Sequence, residues 1–336
     1  MSRRYFVGCV SWLGLAMLGA PAAFAGEYRI SGPYTHDNLS IFLIHDSRQA
    51  AAKRFLTLQE AMDQKKVAVY ETGSVNELSI ENLSSEDVYV QSGDIVKGGR
   101  QDRVFPTDFV ITSHSGKVPI ASFCVERGRW SKRGAEAADQ FSGSTQLVAT
   151  KTLKMAARGP GGQTEVWNQV ANAQASLASV VEVGTAGAPA SASPTSMQLS
   201  LEGKQVREAT DAYVRHLTGI VDGRADAVGF AFAVNGQLSS ADIYSSSDLF
   251  RRMWPKLLKA SAVEAMTERR GTKASSGPDA SAVRALLADA GPARESSKEV
   301  ARRLQVVTRD SGKTVLFETR DHDAGGAWLH KSYIVK

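Results

Sequence analysis

The sequence predicts an α+β fold: antiparallel sheets, arranged as hairpins or a small sandwich, with segregated helices. Three observations carry this. β-type signals dominate from Val67 to Val125, helical periods take over from Val166 to Ile220, and Val228 to Tyr244 reads as a hairpin around Asn235-Gly236. Asn and Gly are the residues that best tolerate positive φ at both centres of a type I′ turn.

Taken in order, Ile41 to Ile44 is a short apolar strand, and Thr57-Leu58-Gln59-Glu60 is a capping box that opens a helix reaching about Lys65. Leu78-Ser79-Ile80 and Val88-Tyr89-Val90 flank the turn-rich Asn82 to Asp87, which predicts one hairpin. Phe109-Val110-Ile111 and Pro119 to Val125 flank Ser113 to Gly116, which predicts another. Val166, Val170, Ala173, Leu177 and Val180 share one helical face, and Gly184 closes that helix. Thr185 to Ser196 is rich in Ala, Ser, Pro and Gly without an apolar period, so a flexible surface loop is expected near 185–197. A second helix carries Val206, Ala209, Tyr213, Leu217 and Ile220. After the hairpin, Ser246 or Ser247 caps a helix running past Ala262, in which Pro255 is expected to kink the chain or start a new segment. A short helix from Ala280 to Ala290 stops at Gly291-Pro292, and strands Leu304 to Thr308, Thr314 to Thr319 and Trp328 to Val335 complete the chain. There is no internal repeat.

The N-terminus combines Arg3-Arg4, an apolar run from Phe6 to Leu18 and an Ala23-Phe24-Ala25 cleavage pattern. This is the form of a signal peptide over residues 1–25, followed by a single domain over 26–336. The run is shorter than the roughly 18 to 20 apolar residues a membrane span needs. Ser2-Arg3-Arg4-Tyr5-Phe6 resembles a twin-arginine export signal, with a Sec signal as the alternative. A periplasmic or secreted location is expected, with no membrane span after cleavage. Cys9 leaves with the leader, so Cys124 stands alone and no internal disulfide forms. Without Arg3 and Arg4 the 40 basic residues fall to 38 against 35 acidic, a net of +3 that gives no case for nucleic acid.

Chemistry concentrates in two segments, Gly93 to Arg103 and Cys124 to Trp130. Between Asp94 and Arg133 eight basic residues face four acidic ones, a local +4. Glycine lets backbone amides approach a ligand, and arginine offers planar bidentate donors for phosphate or carboxylate. The candidate ligand-binding residues are Lys97, Arg100, Gln101, Arg103, Arg129 and Trp130, the last stacking on a base or sugar. Lys151, Lys154 and Arg158 extend the patch. A strand from Pro119 to Glu126 places Ser122, Cys124 and Glu126 on one face and Ala121, Phe123 and Val125 on the other. Candidate catalytic residues are Asp94 or Glu126 as general base and Cys124 as nucleophile, the alternative for Cys124 being a small buried hydrophobe. Asp321-His322-Asp323 reads as a solvated turn, the remaining histidines are scattered singly, and no spacing names a metal or cofactor.

Gly93-Asp94, Gly98, Arg100-Gln101-Asp102-Arg103 and Cys124-Val125-Glu126-x-Gly128-Arg129-Trp130 resemble the ARG and rhodanese-phosphatase-superfamily-associated protein domain, a bacterial family. Val228-Gly229-Phe230, Asn235-Gly236, Ala241-Asp242-Ile243-Tyr244 and Leu249-Phe250-x-x-x-Trp254-Pro255-Lys256-Leu257-Leu258 are similar as well. The resemblance spans roughly Tyr28 to Val335. Family members are associated with ADP-ribosylglycohydrolases and phosphatases, which implies a role around NAD-derived or ADP-ribosyl metabolites. Two functions are therefore expected. One is binding or hydrolysis of a phosphate-bearing small molecule. The other is a non-enzymatic structural or interaction role in the cell envelope, with the same residues forming a buried ion-pair network.

Overall fold

The computed structural model describes residues 28–48, 53–182, 193–269, 277–290, 293–300 and 303–336. The leader and residues 185–192 of the expected loop lie outside them.

The chain opens with β1 (Arg29–His36) and β2 (Leu39–His45), then β3 (Leu56–Thr57) leads into α1 (Leu58–Asp63). There the Thr57 hydroxyl accepts from the Glu60 N–H while the Glu60 carboxylate accepts from the Thr57 N–H, the expected capping box. A β-rich stretch follows: β4 (Val67–Glu71), β5 (Glu77–Asn82), β6 (Val88–Val90), β7 (Asp94–Gly98), β8 (Arg103–Val104), β9 (Phe109–Ile111), β10 (Gly116–Ala121), β11 (Phe123–Cys124) and β12 (Phe141–Leu147). Four helices come next, α2 (Lys151–Arg158), α3 (Gly162–Glu182), α4 (Met197–Glu202) and α5 (Lys204–Leu217). The hairpin β13 (Ala227–Val234) and β14 (Gln237–Tyr244) turns at Asn235 and Gly236 with φ of 50° and 79°, as a type I′ turn requires. Helices α6 (Ser247–Thr267) and α7 (Ala280–Asp289) precede β15 (Arg294–Glu299), β16 (Leu304–Asp310), β17 (Thr314–Asp321) and β18 (Ala327–Val335).

These elements form an α+β fold. An eight-stranded antiparallel sheet, in the order β1-β2-β13-β14-β18-β17-β16-β15, draws strands from both ends of the chain. Period-two alternation divides its apolar residues between two cores. Leu39, Ile41 and Leu43 of β2, with Phe230 and Phe232 of β13, face the core shared with α6. Phe42 and Ile44, with Ala231 and Ile243, face Val283 and Leu286 of α7. Each of the Leu, Ile, Val and Phe side chains contributes roughly 1.5–3 kcal/mol by burial. Three smaller sheets complete the first half: β10-β5-β4, β11-β8-β7-β12 and β3-β6-β9.

Several expectations are corrected. The two hairpins predicted between Leu78 and Val125 exchange partners. β5 pairs with β10, and β6 pairs with β9, while β6 also lies parallel to β3. Asn82 sets this nesting, because its amide nitrogen donates to the carbonyls of Glu86, Ile111 and Thr112, tying one turn to the other. The strand expected from Pro119 to Val125 breaks at Ser122, whose N–H leaves the ladder for the carbonyl of Asn76. α6 runs unbroken through Pro255, which stands at an exposed position, as does Arg251, whose carbonyl loses its helical donor there. The end of the expected loop is not surface. Ser193 and Ser196 are buried, and Ser196 caps α4, which begins inside the expected loop at Met197.

Candidate functional site

Strand pairing brings the two basic segments together. Arg103 of β8 lies opposite Cys124 of β11 and Val96 of β7, so 98–103 and 124–133 share one corner of the molecule. The glycines there serve packing. Gly98 and Gly99 have φ of 115° and 53°, and a Cβ on Gly99 would stand 2.3 Å from the ring of Phe141.

The guanidinium groups converge, but on carboxylates. Arg129 forks onto Glu126, with Nε to Oε1 and Nη2 to Oε2 both at 2.7 Å, and its remaining donors reach the carbonyls of Gly98, Gly99 and Ser131. Arg133 forks onto Asp102 at 2.9 and 3.0 Å and extends to Glu136 at 2.9 Å. Asp102 also accepts from the Gly98 N–H and the Ser196 hydroxyl, and Glu126 accepts from the Asp102 N–H. Two buried carboxylates are thus matched by two arginines, and the bidentate geometry supplies what desolvation removes.

Three of the other predicted ligand-binding residues, Lys97, Gln101 and Arg103, also meet protein partners, while Arg100 and Trp130 remain exposed. Lys97 pairs with Glu202 at 2.6 Å, and the Gln101 amide bridges the Glu126 carbonyl and Arg103. Arg103 is fully buried, with Nη1 donating to Cys124 Sγ and Nη2 3.6 Å from Glu71. Arg100 is exposed and lies 5.3 Å from the ring of Trp130, itself 43% exposed, with Arg103 at 5.6 Å from the same ring.

The predicted catalytic groups do not form a reactive set. Asp94 belongs elsewhere in the core, bonded to Lys256 of α6 and to the Gln91 N–H. Cys124 is fully buried. Desolvation pushes its thiol up to about 11, against the opposing pull of Arg103, so it remains protonated at neutral pH. Its backbone N–H and C=O are clamped by the side-chain amide of Gln163, each at 2.8 Å. Burial would raise the Glu126 carboxyl, but bonds from Arg129, Ser193 and the Asp102 N–H outweigh it and hold the group below its usual range. Glu126 is ionised and committed to its partners. The expected division of 121–126 into a polar and an apolar face is also replaced: Ser122, Cys124, Val125 and Glu126 are all buried.

A different constellation lies against the large sheet. A cavity of about 350 Å³ opens between the β10–β11 corner, the C-terminal end of α2 and strands β15 to β18. His330 of β18 lines it and is held between two buried carboxylates, Nδ1 2.8 Å from Asp108 and Nε2 3.2 Å from Asp242. Burial would lower the imidazole, but Asp108 and Asp242 prevail and raise it to about 9, so it is a cation at neutral pH. Asp108 is correspondingly held well below the carboxylate range, burial being outweighed by His330. Asp108 further accepts from the Ser92 N–H and the Thr319 hydroxyl, and Tyr244 stacks on His330 with centroids 4.6 Å apart.

Arg158 sits beside this array at the last turn of α2, where a cation suits the helix dipole. Its Nε donates to Ser92 Oγ at 2.8 Å and its Nη1 to Ser332 Oγ at 3.0 Å, and the guanidinium lies 4.7 Å from the ring centroid of Phe317. It forms no ion pair with a described carboxylate, unlike Arg129, Arg133 and Arg303. A larger cavity of about 620 Å³ near Asp46 and Trp328 lacks such a group: its Arg303 is paired with Asp87 and Asp321, and its Lys53 with Asp87. The smaller cavity is therefore the better candidate. Sequence reading attached Arg158 to the glycine-rich patch and gave His330 no role, because their partners lie up to 222 positions away. Asp321, expected in a solvated turn, is buried beneath Arg303. No cluster among the described residues is arranged to hold a metal, and no described helix is long and apolar enough to cross a membrane.

A family model described as the ARG and Rhodanese-Phosphatase-superfamily-associated Protein domain matches residues 27–334. No curated protein and no solved structure matches the chain.

Proposed function

The chain belongs to the ARG and Rhodanese-Phosphatase-superfamily-associated Protein domain family, and from that premise we propose that it binds a phosphate-bearing small molecule in the cavity beside Arg158. One observation carries this reading: Arg158 is the half-buried guanidinium that ends on hydroxyls instead of a carboxylate, inside a concave site. A guanidinium with no carboxylate in contact favours an anion, and the hydroxyls of Ser92 and Ser332 fix the plane in which it presents its remaining donors, on Nη2 and the second Nη1 hydrogen. The adjacent imidazolium is more than balanced by Asp108 and Asp242, so Arg158 is the group that supplies the positive charge facing the cavity. Both ring nitrogens of His330 are engaged, so the reading is one of binding, with no proton transfer assigned. The leader pattern of residues 1–25 supports a periplasmic or secreted site of action.

Titration calorimetry of the purified chain with inorganic phosphate and phosphate monoesters tests this. Binding heat is expected for the native chain and its loss for Arg158→Gln, with the melting temperature of the free protein little changed. Absence of heat with every phosphate compound would sink the proposal. The second reading, a non-enzymatic envelope protein, would then stand, and the saturated cluster of Arg129, Arg133, Asp102 and Glu126 already favours it for that corner of the molecule.

A further inference from the structure

The lining of the same cavity specifies more than charge. Besides Arg158, Ser92, Ser332 and His330, the cavity is lined by Pro106, Ala121, Phe123, Val300, Val306 and Phe317. These apolar walls come from four separate parts of the fold, so they are a property of the assembled cleft and not of one strand. Resting on the anion-site reading above, we infer that the ligand is an organic oxyanion with one charged head and an apolar body about the size of a single ring.

Three physical points support this. First, the interior offers one guanidinium without a carboxylate, which matches one oxyanion head. A polyphosphate would bring several charges into a space whose other cations, His330 and the rim residue Lys298, are accompanied by Asp108, Asp242 and the rim residue Glu299, and an unmatched charge taken from water is costly. Second, the volume of about 350 Å³ is near the lower end of the roughly 300–1,000 Å³ spanned by ligand pockets. That space suits a head and one ring, not a dinucleotide. Third, an inorganic anion would leave the apolar walls in contact with water, whereas a ring would cover them and remove that apolar area from solvent. Phe317 serves both halves of the site, since its ring lies under the Arg158 guanidinium and also lines the cavity.

The probes are inorganic phosphate, phenyl phosphate and ATP, titrated into the native chain and into Arg158→Gln and Ala121→Phe. Ala121 lies at an exposed β10 position on the apolar side of the cavity, so a larger side chain there fills the body compartment without touching the core. The expected result is that phenyl phosphate binds at least about tenfold more tightly than inorganic phosphate and more tightly than ATP. Ala121→Phe should remove that advantage while leaving inorganic phosphate unchanged, and Arg158→Gln should abolish binding of both. If phenyl and inorganic phosphate bind equally well and both need Arg158, or if ATP binds best, the inference is overturned and the anion site survives. If nothing binds, or Arg158→Gln binds as well as the native chain, the anion site itself falls.

Discussion

Nδ1 of His330 lies 2.8 Å from Oδ2 of Asp108, 222 positions earlier in the chain, and this bond joins the last strand of the large sheet to the β-rich first half. The pair is fully buried, with Asp242 on the other ring nitrogen, so the imidazolium is both a cross-link and a charge that must be kept.

The pH dependence follows from the sign of that shift. His330 is raised from an ordinary 6.5 to about 9 in the folded state. Below about pH 6.5 both states carry the proton and its stabilisation is fully present. As pH rises from there through 9 the folded protein holds a proton the unfolded chain has lost, so the contribution declines and is gone above 9. Denaturant stability of the native chain minus that of His330→Gln should narrow over this window by up to about 3 kcal/mol. A difference that is flat from pH 6 to 9.5 would show that the fold does not raise the imidazole above its ordinary value.

The arginine–carboxylate cluster predicts a sharp contrast between neighbouring arginines. Arg133→Met leaves Asp102 without its forked partner and is expected to cost about 3–5 kcal/mol of unfolding free energy. Arg100→Met, at an exposed position, should cost less than about 0.5 kcal/mol. Equal losses from the two would contradict the assigned network.

Gly99 and Gly128 separate packing from backbone freedom. Both have positive φ, but a Cβ at Gly99 meets the Phe141 ring whereas one at Gly128 meets nothing within 4 Å. Gly99→Ala is expected to cost about 2–4 kcal/mol, backbone strain plus overpacking, and Gly128→Ala only about 1 kcal/mol. Thermal melts of the two variants decide the matter, and a milder Gly99→Ala would mean that the Phe141 ring moves aside freely.

Cys124 should be inert in the native state. Its buried thiol, raised to about 11, must await opening of the corner held by Arg103 and Gln163 before it meets a reagent. Alkylation by iodoacetamide at pH 7.5 is expected to track the unfolded fraction across a urea titration. Rapid labelling in the absence of urea would restore a reactive thiol.

Patterns set by neighbours a few residues apart were legible in the sequence. The Thr57–Glu60 capping box, the Asn235-Gly236 turn and the apolar faces of α3, α5 and α6 depend on local stereochemistry and on a period of 3.6 or 2, and the chain carries those openly. The basic character of the 98–103 and 124–129 segments was legible too. Their chemistry was not, since whether an arginine meets a ligand or a carboxylate depends on Asp102 and Arg133 reaching the same point.

What the sequence by itself determined, then, is the α+β class, the helices α1, α3, α5, α6 and α7 and the Asn235-Gly236 hairpin, because backbone preference and burial periodicity are local properties. Only the tertiary structure decided the strand partners of β5, β6, β9 and β10, the neutralisation of Arg129 and Arg133, and the isolation of Arg158 beside His330. Those outcomes turn on which charges come within about 4 Å of one another in a medium of low polarisability, where the Coulomb energy is large. Distances of that kind exist only after residues a hundred or more positions apart have been packed together.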